Sequence, residues 1–559
     1  MRREVSVVNK KVCSFPILFA LLALLIGTCA VVFPASAQAA PTSTGSITVS
    51  GTVASSYDAY QIFSANVVDG DSDAKIATDL AWANDAVRDA VLPVLHSAGM
   101  PNSQTTAQEA AEWLNTDSHL TGALSAQLAR SLQSSGAVPV ALNAGTAAEL
   151  PCGYWLIVAD DAAIAQNEVG TTPIMVLVGG SAVTVKPKAA TPKVAKHVLE
   201  DSTAAWQKAA DATVADDLYW RLSATVPAGL TAYDTYAVQF VDTIGAGLDP
   251  SKVVASMHVY VAAGTDGGFD AVQTGKDGRA GTEPAKGWTD ITAQCATKVA
   301  VDGKTFTVRT GDLIAALGGA DAFTAGARVV AVYNAPLSSA CNHGIAKGNP
   351  NEVYLRYPRS PFADQSGDAG FTRTPSDDAC AYTWGLSLIK RSSSDDKPLT
   401  GAKLRIIDDR GRILTTDGSW STDADACVTT GADGHVELSG VDAGVYTVEE
   451  VAAPKGYTAF EGKRTVTVTA EGLDVKQVAV AKPKVTVSAE SPLRVDTADA
   501  GTGSIELSVL NTPSKEASRG FMPSTGDRTL VLVAVLAAIG VAVIVVALVI
   551  KRGGGRREK

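Results

Sequence analysis

The chain has 559 residues, enough for about three domains, and a formal net charge of −11. An acidic body of this kind is a poor match for nucleic acid or an anionic lipid surface, so neither is expected as a partner. The six histidines, His96, His119, His197, His258, His343 and His435, stand in no metal or catalytic-triad motif, which argues against enzyme turnover and against a metal or other cofactor.

At the start, Arg2, Arg3, Lys10 and Lys11 precede an apolar stretch from Phe15 to Val32, and small residues follow at Ala35-Ser36-Ala37 and Ala37-Gln38-Ala39. A charged segment, an apolar segment and an A-x-A site make residues 1–39 a cleaved signal peptide, with the mature chain beginning near Gln38 or Ala40. This leader carries +3 and the segment beyond Gly526 carries +4, so the exported part between them is near −18. Cys13 and Cys29 leave with the leader; Cys152, Cys295, Cys341, Cys380 and Cys427 remain. Outside the cell disulfides persist, and position along the chain suggests Cys295 with Cys341 and Cys380 with Cys427, leaving Cys152 over. Buried, unpaired thiols are the alternative.

Residues 40–189 read as a mixed first domain. Ile47-Thr48-Val49, the run Tyr57 to Phe63, Trp155 to Val158 and Ile174 to Val178 have strand character, whereas Asp85 to Leu132 is Ala-rich with helical spacing. Asp69, Asp71 and Asp73 imitate the start of a calcium loop, but Leu80 stands at the twelfth position where Glu is needed, so a solvated loop is expected. The domain ends in Val183-Thr184-Val185-Lys186-Pro187-Lys188, whose alternation turns Val183, Val185 and Pro187 inward and Lys188 outward. This stretch resembles the pilin motif WxxxVxVYPK of Gram-positive pilus subunits, whose Lys accepts the next subunit. The resemblance implies that Lys188 is the acceptor; because Lys186 stands where Tyr is usual, two adjacent lysines stay open for the role.

Beyond Ala189 short alternating strands are punctuated by Gly, Pro, Asp and Asn, the pattern of sandwich domains, with a second boundary near Asp377. In residues 190–377, Lys196 shares a face with Val194 and Val198, Asp242 with Val238 and Phe240, and Asn351 with Val353 and Leu355. In residues 378–513, Lys390 shares a face with Leu386 and Leu388, Glu450 with Tyr446 and Val448, and Asn511 with Ile505, Leu507 and Val509. Each domain thus aims a lysine, a carboxylic acid and a carboxamide at one core. Burying them unpaired costs several kcal/mol apiece, and neutralisation is the usual escape. A neutral amine is a nucleophile, a neutral acid polarises an amide oxygen and passes protons, and an Asn side chain is an electrophile. Held together without water, they can condense to an Nε-amide with loss of ammonia.

Tyr446-x-Val448-x-Glu450-Val451-x-Ala453-Pro454-x-Gly456-Tyr457 resembles the E-box, YxLxETxAPxGY, of CnaB-like domains in Gram-positive pilins. That resemblance implies an isopeptide bond between Lys390 and Asn511 with Glu450 as its catalyst. The segments TPKVAKHV, YAVQFVD and GNPNEVYLRY resemble the middle domain of pilus shaft proteins, which implies the same parts for Lys196, Asn351 and Asp242.

Residues 514–526 form a tether that ends in Met522-Pro523-Ser524-Thr525-Gly526. Residues 527–559 contain an uncharged apolar run from Leu530 to Ile550, long enough to cross a bilayer as a helix, and then Lys551, Arg552, Arg556, Arg557 and Lys559, which stay cytoplasmic. The pentapeptide with its span and basic tail resembles the LPxTG cell-wall sorting signal, with Met522 in place of Leu. By that resemblance sortase cuts between Thr525 and Gly526 and transfers Thr525 to an amine. The expected fold is therefore mainly β, with tandem Ig-like, CnaB-type sandwich domains, an α+β first domain, a cleaved signal peptide and a C-terminal transmembrane helix. The resemblances together describe the major subunit of a covalent, wall-anchored surface pilus with a role in adhesion. Its implied partners are further copies of itself, sortase, peptidoglycan, tip and basal pilins, and a host or matrix ligand. A monomeric, basal or accessory wall-anchored adhesin shares all of these features except the need for an acceptor lysine.

Overall fold

The Ala-rich segment after Trp82 is cut into three helices by its own capping residues. Asn84 accepts a hydrogen bond from Val87 N to start α1 (Asp85–Ser97), Thr106 and Glu109 form a capping box for α2 (Ala107–Asn115), and Thr121 accepts from Leu124 N to start α3 (Gly122–Ser134). Their apolar faces, with Val91, Leu95, Ala110 and Leu128, cover Tyr60, Ile62, Leu156 and Val158 on one face of a five-stranded sheet. The opposite face carries Tyr57, Ala59, Trp155 and Ile157, which pack on Ile47, Val49 and Val185 of a three-stranded sheet. The strand Ser56–Asp69 serves both cores because its side chains alternate.

The structure is a computed structural model that describes residues 43–514, apart from 52, 71–73, 117–118, 166, 188–190, 229, 265–286, 301, 364 and 473–483, together with 544 and 546. The leader, Lys188, the sorting motif Met522 to Gly526 and the expected membrane span, 544 and 546 excepted, lie outside the described residues. Among the described residues no helix is long and apolar enough to cross a membrane.

The second domain is a sandwich. One sheet holds Val194–Glu200, Tyr219–Thr225 and Arg328–Asn334 side by side; the facing sheet holds Gln239–Ile244 between Thr305–Arg309 and Asn349–Pro358. Trp220, Leu222, Phe240, Tyr333, Val353 and Leu355 fill the space between, all fully buried. The expected boundary near Asp377 falls at the start of a strand, Asp377–Tyr382, that pairs with Asn349–Pro358. The middle sheet therefore runs to Tyr382, and the next domain begins at its own first strand, Trp384–Ser392.

That last domain is a second sandwich. Trp384–Ser392 lies between His435–Val441 and, in parallel register, Ser504–Pro513. The facing sheet has Gly444–Ala452 between Lys403–Ile407 and Lys463–Glu471.

The two sandwiches meet through charge. Arg412 places both terminal nitrogens 2.7 Å from the Asp216 carboxylate, and Asp211 accepts from Trp384 Nε1 at 2.7 Å and Ala443 N at 2.8 Å. Beside these, burial and the Asp211 charge push the Glu200 carboxyl up to about 7, and burial likewise raises Asp211 and Asp442. Acids raised in the folded state hold protons that the unfolded chain releases, so the junction loses stability as pH climbs from the ordinary carboxylate range through about 7. The second and third domains together are expected to melt a few degrees lower at pH 8 than at pH 5.5 by calorimetry, and Glu200→Gln should flatten that dependence.

Candidate functional site: two buried lysine, carboxyl and carboxamide clusters

In the last domain the parallel register sets Ser392 opposite Asn511, which brings the end of the first strand to the end of the last. Lys390, Glu450 and Asn511 are all buried, with no side-chain exposure left on the lysine or the glutamate. Lys390 Nζ lies 2.5 Å from Asn511 Oδ1 and 3.1 Å from Glu450 Oε1, and Asn511 Nδ2 donates to that same Glu450 oxygen at 2.8 Å. The other carboxylate oxygen, Oε2, is fixed by the backbone N–H of Phe460 at 3.0 Å, and the Phe460 ring stands 5.3 Å from the lysine nitrogen. Burial, opposed by Glu450, pushes Lys390 down to about 8. Burial therefore makes the neutral, nucleophilic amine easier to reach near neutral pH than for an exposed lysine.

One carboxylate oxygen thus touches both the nitrogen that would attack and the nitrogen that would leave. It can accept a proton from the first and deliver it to the second, so that the Nζ–Cγ bond forms, the Cγ–Nδ2 bond breaks and ammonia departs. A buried ion pair costs more in desolvation than an apolar pair of equal size. Conversion to an uncharged amide removes that cost.

The middle domain assembles its trio across the sandwich. Lys196 comes from one sheet, Asp242 and Asn351 from neighbouring strands of the other, and all three are at 0 % exposure. Lys196 Nζ is paired with Asp242 Oδ2. Burial pushes Lys196 down to about 8, with Asp242 opposing, and raises Asp242, with Lys196 opposing. Trp220 and Tyr333 hold their ring centres 5.5 and 5.4 Å from the lysine nitrogen and line the site against water.

A fourth residue stands here that sequence reasoning missed. Tyr333 Oη accepts from Lys196 Nζ at 2.9 Å and from Asn351 Nδ2 at 2.8 Å, and donates to Asp242 Oδ2 at 3.1 Å. Its signal was in the strand Arg328–Asn334, where Val329, Ala331 and Tyr333 alternate inward. A phenol at the end of such a face needs a polar partner for its hydroxyl.

At the end of the first domain Val185 is buried and Lys186 exposed. Lys186 is one of the residues that line a groove of about 420 Å³, with Leu120, Thr121, Ser125, Pro173 and Met175. Its rival Lys188 is outside the described residues, as are Met522, Pro523, Thr525 and Gly526.

The expected disulfides are corrected: Cys152, Cys295, Cys341, Cys380 and Cys427 are all unpaired. Cys295 ends a short 3-10 turn and turns its thiol to Ile291 O, whereas Cys341 sits in the loop that follows Arg328–Asn334. Cys380 is buried in the middle domain's Asp377–Tyr382 strand, and Cys427 precedes Val428–Thr429 in the other sandwich. Pairing Cys380 with Cys427 by order along the chain fails because the strand of Cys380 belongs to the middle sheet.

Residues 385–483 match the SpaA prealbumin-like fold domain family. Over 120 residues the chain is 28% identical to the trypsin-resistant surface T6 protein of Streptococcus pyogenes serotype M6, a match that spans 20% of this chain and 20% of that protein. Among solved structures it is similar to the T6 backbone pilin of S. pyogenes, at 16% identity and a TM-score of 0.45 over 84% of this chain and 98% of that one. It is also similar to the major pilin SpaD of Corynebacterium diphtheriae, at 15% identity and a TM-score of 0.41 over 84% and 98% of the two chains.

Proposed function

We propose that this chain, whose last domain is of the SpaA prealbumin-like family, is the shaft subunit of a covalent surface pilus, made rigid by one Lys–Asn amide in each sandwich domain. The observation that carries the reading is the pair of buried clusters, each with a lysine nitrogen and an Asn carboxamide in contact with the same carboxylate or its hydrogen-bonded partner. Two such clusters in one chain, on different pairs of strands, suit a load-bearing thread. Each bond forms once, so the chain turns over no substrate. Sortase would join Thr525 of one subunit to a lysine at the end of its neighbour's first domain. That contact is head-to-tail, does not close and so propagates as a fibre anchored to peptidoglycan. Tip and basal pilins and a host or matrix ligand are its further partners in this reading.

Intact mass tests the amides directly. The exported chain should weigh about 34 Da less than its sequence, one ammonia of about 17 Da for each bond. Glu450→Ala should restore one ammonia and Asp242→Ala the other, each after allowance for the substitution. A wild-type chain of full mass rules out both crosslinks.

A further inference from the structure

The geometry points to Tyr333 as the proton relay of the middle domain, carrying the proton that the departing Asn351 nitrogen must gain. This inference rests on the amide-forming function proposed above and adds a catalytic residue to it.

The two clusters solve one problem with different reach. In the last domain Glu450 Oε1 contacts both Lys390 Nζ and Asn511 Nδ2, at 3.1 and 2.8 Å. In the middle domain the acid is Asp242, one methylene shorter. It pairs with Lys196, and no hydrogen bond from Asn351 Nδ2 to it is formed among the described residues; the amide nitrogen donates instead to Tyr333 Oη. That hydroxyl also contacts Lys196 Nζ and Asp242 Oδ2. A phenol oxygen therefore fills the place that the longer carboxylate takes in the other domain.

The atoms balance. Lys196 as the ammonium gives one proton to Asp242, and the freed amine attacks Asn351 Cγ. Tyr333 gives its hydroxyl proton to Nδ2 and regains one from Asp242, while Nζ loses its second proton to Asp242. The Nζ–Cγ bond forms, the Cγ–Nδ2 bond breaks and ammonia leaves. Of the two protons shed by Nζ, one ends on ammonia and one on Asp242, which finishes as the neutral acid; Tyr333 is unchanged. No oxidant or other reactant is needed.

The surroundings suit this role. Tyr333 is fully buried, and its ring packs edge-on against Phe306 at 4.9 Å, so water does not compete for the transfer. Burial raises the phenol well above its ordinary value, so it stays protonated and passes protons in concert instead of resting as an anion. Asp242 Oδ1 is buried without a hydrogen-bond partner, an acceptor left free for the proton that Asp242 keeps at the end.

The test follows bond formation by mass in cell-free synthesis of the exported chain, quenched at intervals and digested so that each domain is read separately. Tyr333→Phe should slow the middle-domain loss of ammonia on the order of 100-fold, while the last domain of the same molecules closes at the wild-type rate. Tyr333→Phe combined with Asp242→Glu should recover much of that rate, because the longer acid can reach Nδ2 as Glu450 does; a purely structural role for the tyrosine predicts no such recovery. Incorporating 3-fluorotyrosine at position 333 keeps the shape and makes the phenol more acidic, and should shift the rate severalfold even if the Phe variant does not fold. A Tyr333→Phe chain that closes at the wild-type rate, a double variant no faster than the single one, or a fluorinated chain with an unchanged rate overturns the relay. A wild-type middle domain that keeps its ammonia overturns the proposed function, and the relay with it.

Discussion

The last domain, pulled between Trp384 and Pro513, should refuse to lengthen, whereas Glu450→Ala should release about 400 Å of chain from it. Lys390 and Asn511 are 121 positions apart, and each residue drawn straight adds about 3.4 Å. Because the first and last strands lie parallel and adjacent, a bond between them carries tension from one to the other and leaves the intervening strands unloaded. In the middle domain Asp242→Ala should release still more, since Lys196 and Asn351 enclose about 150 residues. Single-molecule force spectroscopy reads both lengths; a Glu450→Ala domain as inextensible as wild type sinks the mechanical account. The same loop closure appears as thermal stability. Crosslinking a loop of this size removes unfolded-state entropy worth about 4 to 5 kcal/mol, which in a domain of this length is on the order of 15 °C in Tm.

This load path accounts for where the clusters lie. If tension enters a subunit at the end of its first domain and leaves at Thr525, it crosses both sandwiches and bypasses the sheets and helices before Val183. Both trios sit in the loaded part. Within the middle domain the proposed bond would span the two sheets, because its lysine and asparagine come from opposite layers. Within the last domain it would join neighbours in one layer. In the last domain such a bond would shorten the loaded path to the few residues outside Lys390 and Asn511; in the middle domain it would take the chain from Lys196 to Asn351 out of the path and leave Asn351 to Trp384 in it.

The clusters were legible in the sequence because strand periodicity is strict: a lysine two residues beyond two leucines has to share their face, whatever the rest of the domain does. The helical character of the first domain was legible in the spacing of its apolar residues between Asp85 and Leu132, but the division into three helices was not, because it rests on the caps Asn84, Thr106 and Thr121. Tyr333 was legible only as an inward-facing phenol; tyrosine is common on a buried face, and the meeting of four strands is what shows that its hydroxyl stands between two nitrogens. The pairing of Cys380 with Cys427 was misread because it depends on which sheet a strand joins, and Cys380 belongs to a strand that the expected boundary had cut from its sheet.

The second large effect concerns polymerisation, and it turns on two lysines that flank Pro187. Val183–Val185 runs parallel to Thr44–Val49 at the edge of the first domain, and Ser50 N bonds Val185 O, so the chain is held firmly up to this point. Lys186, the next residue, is exposed beside the groove formed by the start of α3 and the Pro173 to Met175 segment, a concave, partly apolar surface on which an extended peptide can lie. The motif resemblance favours Lys188 instead. Both alternatives place an amine at the junction of two domains, where a neighbour's Thr525 thioester would compete between it and the peptidoglycan amine. Lys188→Ala is therefore expected to abolish the SDS-resistant ladder of high-mass species in a cell-wall extract, while the monomer stays folded, exported and wall-attached. Lys186→Ala separates the alternatives, because it removes the amine beside the groove and leaves the one that the motif favours. Loss of the ladder in Lys186→Ala with its persistence in Lys188→Ala would move the acceptor two residues toward the groove and leave the shaft reading intact. A ladder that survives in the double variant would place the acceptor elsewhere and end this account of the first domain, and a single band from the wild-type chain would favour a monomeric adhesin.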